Sequence, residues 1–71
     1  MTETMWRYVS RQGDDRFVSE ALYTKEEVAE ILEIEAILHR GTGWRVFVSH
    51  NPPALVCEHE GVRRVISFEE E

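Results

Sequence analysis

Cysteine occurs once in these 71 residues, as Cys57. A disulfide within the chain is therefore excluded, and a lone thiol suits a reducing cytoplasm better than a secreted scaffold. Lysine also occurs once, as Lys25, so the positive charge is almost all arginine. No apolar run approaches the ~20 residues that a membrane span needs. The segment Met1 to Glu3 has no basic region leading into an apolar stretch, so no secretory signal is expected. A glycine-rich phosphate loop, a nucleophile elbow and a metalloprotease signature are all missing. With them goes the usual sequence-level case for an enzyme.

What is present reads as one small globular domain. The apolar fraction is 42%, too high for a disordered chain. A domain of this length buries only roughly 60% of its unfolded surface, so its stability is marginal and association is the expected aid. The formal net charge of −6 argues against DNA binding driven by overall charge. That charge is unevenly placed. Glu26, Glu27, Glu30, Glu33 and Glu35 crowd one stretch, and Glu69, Glu70 and Glu71 end the chain. Arg7, Arg11, Arg16, Arg45, Arg63 and Arg64 fall in or beside extended segments.

Period-two alternation predicts a first strand over Met5 to Arg11 and a second over Arg16 to Leu22, joined at Gly13-Asp14-Asp15. Thr24 opens a helix, because Glu27 stands where a capping box needs it. His39 and Arg40 suit the helix C-terminus, and Gly41 is the expected left-handed stop. Val28, Ile31 and Leu32 form the apolar stripe. Ile34, Ile37 and Leu38 drift around the cylinder, which leaves two readings. Either the helix runs to His39, or it stops near Glu33 and Ile34 to Arg40 pairs with the next strand. The stop signals at both ends favour the long helix. Trp44 to Ser49 is a third strand, ended by Asn51-Pro52-Pro53. Leu55 to Glu58 and Val62 to Phe68 follow, with Glu60-Gly61 as their turn. The tail 69–71 is expected to fray.

The fold class is therefore α+β in the order β-β-α-β-β-β, one helix packed on one face of a mostly antiparallel sheet. The expected core is Trp6, Tyr8, Val28, Ile31, Leu32, Leu38, Trp44, Val46, Val48, Leu55, Ile66 and Phe68. One helix covers one face only. The other face then mixes Arg7, Arg45 and Arg63 with Val9, Phe47 and Val65. Open apolar surface marks an interaction site, and arginine and phenylalanine are enriched in interfaces. The plain alternative is that arginine stems shield apolar surface while their heads stay wet.

Three other constellations stand out. Glu26, Glu30 and Glu33 lie on one side of the helix; a solvated face is the usual meaning, and docking to a basic partner the sharper one. Cys57 and His59 have the spacing of two ligands on one strand face, but zinc wants four, so no metal is expected. Cys57 with His50 or His59 resembles a nucleophile pair only in composition. A chain this short is expected to have little room for both a core and a deep pocket of several hundred cubic ångströms, so no small-molecule substrate and no cofactor are expected.

The stretch Tyr23-Thr24-Lys25-Glu26-Glu27-Val28-Ala29-Glu30-Ile31-Leu32 resembles the first helix of winged helix-turn-helix proteins of the excisionase and MerR type. The resemblance implies DNA binding through a second, recognition helix within a few residues. Here Ile34 to Arg40 leads instead into Gly41-Thr42-Gly43 and a strand, so no contact residues carry over. The reading that results is a cytoplasmic, non-enzymatic protein-binding module, self-associating through the arginine and apolar sheet face. Single-stranded nucleic acid on that face, or an acidic inhibitor docking on a basic partner, are the alternatives.

Overall fold

The computed structural model describes residues 3–71, so Met1 and Thr2 of the opening segment lie outside it. Five strands and one helix follow in the expected order: β1 (Trp6–Gln12), β2 (Asp15–Tyr23), α1 (Lys25–Gly41), β3 (Arg45–His50), β4 (Pro53–His59) and β5 (Val62–Glu70). All ladders are antiparallel, and the spatial order is β2-β1-β5-β4-β3. No helix is long and apolar enough to cross a membrane among the described residues.

The long helix forms because both of its ends are closed by local chemistry. Thr24 Oγ1 accepts from the Glu27 N–H at 3.2 Å, and the Thr24 N–H donates to the Glu27 carboxylate at 2.9 Å. At the far end the stop is Gly43 (φ +88°) rather than the expected Gly41, which remains helical. The Trp44 N–H reaches His39 O at 3.0 Å and the Gly43 N–H reaches Arg40 O at 3.2 Å. These two bonds are the paired closure of a Schellman motif, and they bring Trp44 onto His39. No second helix follows among the described residues, so the geometry of a helix-turn-helix is absent.

Val28, Leu32 and Ala36 recur every four residues and face Leu55, Cys57, Ile66 and Phe68. Trp6, Tyr8, Tyr23, Ile31, Trp44 and Val46 close the margin of that core. Leu38 was expected inside but is 59% exposed, and Val48 is also exposed. The buried stripe follows Ala36 and His39 instead. A small alanine lets the backbone sit close to the sheet, which rotates Leu38 out to the flank.

Strand ends extend beyond the sequence expectation. Pro53 begins β4 directly opposite His50, so the proline pair lies in a hairpin. The tail is placed as strand: Glu69 pairs with Arg7, Glu70 with Trp6, and the Glu71 N–H donates to Met5 O at 2.9 Å.

The two sheet edges differ. Between the pairs Arg7–Leu22 and Val9–Val18, β1 has one residue where β2 has three. The surplus forms a bulge at Ser19, Glu20 and Ala21. Arg7 Nη1 donates to Ser19 O at 2.7 Å and to Glu20 O at 3.4 Å, and its guanidinium also pairs with the Glu71 carboxylate. Ser19 Oγ accepts from the Tyr8 N–H at 3.2 Å. The other edge, β3, pairs with β4 in an unbroken register from Arg45 to His50.

Candidate interaction surface

Side chains alternate across each strand, so the ladders fix which residues share the face away from the helix. One row crosses all five strands: Phe47, Val56, Val65, Arg11, Arg16. A second runs Arg45, Glu58, Arg63 across β3, β4 and β5. A third runs Ser49, Ala54, Ser67, Val9, Val18. Phe47 is 52% exposed, and the Arg45 guanidinium lies 5.8 Å from its ring centre. Such a stack holds the cation beside the ring rather than free in water. Val65, at the middle of the sheet, is half-buried.

The structure places all six residues expected for this surface on one face, but they are not equally available. Arg45 and Phe47 on β3 are joined to Arg63 and Val65 on β5 through Glu58 and Val56 of the intervening β4. Val9 shares the face yet has 0% exposure, and it lies outside the main core cluster. Its cross-strand neighbours are Val18 and Ser67. Arg7 is already engaged by the bulge carbonyls and by Glu71. Arg16 sits 3.7 Å from Glu69. Arg11, Arg45 and Arg63 form no ion pair among the described residues. Alternation within β1 already puts Arg11 on this face; Val56 was missed, although its place beside the core residue Leu55 turns it outward by the same alternation.

The opposite side of the molecule carries the helix. Glu26, Glu30 and Glu33 are exposed on it, as expected. The same outward side bears Ile34, Ile37 and Leu38, each 55–60% exposed. Acidic residues hold the N-terminal half of that surface and apolar residues the C-terminal half.

Chemistry-bearing side chains collect elsewhere, beneath the C-terminal end of the helix. Buried His39 has Nδ1 2.7 Å from Glu35 O and Nε2 3.0 Å from Arg64 Nη1. Arginine can only donate, so Nε2 accepts and Nδ1 carries the proton. Arg64 Nε donates to Gln12 Oε1 at 2.9 Å, and its guanidinium lies 4.9 Å from the Trp44 ring centre. His59 lies tilted against Trp44, ring centres 5.5 Å apart, and its Nδ1 is 3.2 Å from Gly43 O. Every group here has an internal partner, which is the signature of a structural network. Burial pushes the Cys57 thiol up from its ordinary value; the Arg64 charge opposes this and Glu35 adds to it. A buried thiol with a raised pKa is a poor nucleophile. No group of three or more metal-ligating side chains forms among the described residues, so Cys57 and His59 gain no further ligands.

One cavity, of about 740 Å³, opens between the start of α1 and the β3–β4 turn. It is wide but not the deep pocket whose absence was expected. Trp6, Val28 and Leu32 line it, with Lys25 and His50 among its polar groups. It is a half-open trough, remote from the His39–Arg64 network.

No protein-family model matches the chain, and comparison with curated proteins and with solved structures found no match.

Proposed function

We propose that this chain is a small protein-binding module without chemistry of its own, self-associating through the outer face of its sheet. The observation that carries the reading is the group Phe47, Val56 and Val65, left uncovered by the single helix and flanked by Arg45, Arg63 and Arg11. A half-exposed phenylalanine with arginines around it is the composition of an interface centre. Arginine forks then bond carboxylates at the rim. Phe47 is the anchor, Val56 and Val65 extend the apolar floor, and the three arginines supply orientation. Arg7 and Val9 contribute by holding the β1–β2 side of the platform in shape.

Phe47→Glu tests this. The variant is expected to stay folded, because the side chain is half in water, and to lose self-association by about 2 kcal/mol or more. Sedimentation velocity at matched concentrations reads the change in mass. An unchanged mass distribution counts against the reading.

Single-stranded nucleic acid is the second reading, favoured by four arginines (Arg11, Arg16, Arg45, Arg63) sharing a face with Phe47. It predicts oligonucleotide binding that weakens steeply as salt is raised. Absence of binding at low salt removes it.

A further inference from the structure

The two exposed sides of this molecule match each other better than either matches itself. The sheet row begins apolar (Phe47, Val56, Val65) and ends basic, with Arg11 unpaired among the described residues and Arg16 beside Glu69. The outward side of α1 begins acidic (Glu26, Glu30, Glu33) and ends apolar (Ile34, Ile37, Leu38). Their lengths agree. Four inter-strand spacings span about 19 Å, and the axial distance from Glu26 to Leu38 is about 18 Å. Placed with apolar end on apolar end, the acidic half of the helix falls over Arg11 and Arg16. Two sheet faces brought together in register would instead set Arg11 and Arg16 against their own copies, with Glu58 and Glu69 on that face to offset them in part, and two helices in parallel would oppose glutamate with glutamate.

We infer that a second copy of this chain docks its helix onto the sheet of the first, head to tail. The inference rests on the proposed function, since it needs the sheet face to bind protein, and it names the occupant. Ile34, Ile37 and Leu38 of one copy cover Phe47, Val56 and Val65 of the next. Glu26, Glu30 and Glu33 meet Arg11 and its neighbours. The contact is heterologous, so each bound copy leaves one helix and one sheet face free. Assembly therefore proceeds past the dimer unless a ring closes.

Complementation between two one-sided variants tests this. Ile37→Arg disables the helix side, and Phe47→Glu disables the sheet side. Each variant alone is expected to sediment as a monomer up to about 1 mM, a concentration that detects even weak affinity. Mixed in equal amounts they are expected to form a one-to-one complex and nothing larger, because one intact pair of surfaces remains. Wild type shows an average mass that climbs past the dimer with concentration. If Ile37→Arg assembles like wild type, the head-to-tail contact is refuted while the sheet reading survives. A monomeric wild type at about 1 mM refutes both. A mixture that stays monomeric refutes the head-to-tail contact. Circular dichroism confirms folding of each variant, and Arg11→Glu replaces Phe47→Glu should the latter not fold.

Discussion

At the scale of single residues, the most constrained side chain is Arg64. It bonds Gln12 and His39 and lies against Trp44. Arg64→Ala leaves the Nε2 of buried His39 without a donor and is expected to cost about 2 kcal/mol in stability. Arg64→Lys is expected to recover little, since an ammonium cannot reproduce the fork and the planar stack. Urea denaturation of the two variants checks both statements. Cys57 and Tyr8 set the alkaline limit. Burial is the first cause of a raised pKa in both, from ordinary values of 9.0 and 10.0. In each case the folded state holds its proton more tightly than the unfolded chain. Their contribution to stability is then fully present below pH 9 and is lost as pH rises through the raised folded values. The urea midpoint should hold steady below the ordinary thiol value of 9.0 and fall as pH rises above it. Cys57→Ala should remove the earlier part of that fall.

At the scale of elements, most of what depends on neighbours in the chain was legible in the sequence, although the helix stop falls at Gly43, two residues past the expected Gly41. The Thr24–Glu27 capping box, the Gly13 and Glu60-Gly61 turns and the alternation of β3 are written within a few residues of where they act. The Glu60-Gly61 turn also shows a local conflict. Both residues have positive φ, +49° and +79°, as a tight hairpin asks, yet glutamate resists that conformation. Glu60→Asn is expected to stabilise the hairpin by about 1 kcal/mol, seen as a higher thermal midpoint. Features set by distant partners were not legible. The bulge at Ser19–Ala21 is held by Arg7, and Arg7 by Glu71 from the opposite end of the chain. The same contact explains why the tail is strand rather than loose end. Nor does the sequence choose between Leu38 and the pair Ala36 and His39 as core: the choice follows from how closely α1 settles on β4, and from Arg64 waiting to pair with the histidine. On the candidate surface the alternation placed all six residues on one face, while the full burial of Val9 depends on neighbours in β2 and β5.

At the scale of the whole molecule, the helix presents Glu26, Glu30 and Glu33 on one side, and the far face of the sheet presents Arg11, Arg16, Arg45 and Arg63 with Glu58 and Glu69 among them. The proposed self-association, if driven by that polarity, weakens with ionic strength, as screening shortens the reach of exposed charges. Raising salt from about 0.05 M to about 0.5 M is expected to lower the average mass in solution, while the apolar contact keeps some association in place. An average mass that rises with salt would point to a contact governed by apolar area alone. The unequal margins of the sheet carry a last consequence. Stapled and kinked at β2, the ribbon is closed to newcomers there, whereas β3 offers a straight run of free amides and carbonyls. A grafted sixth strand, or a stray segment from a crowded refolding mixture, has a single berth.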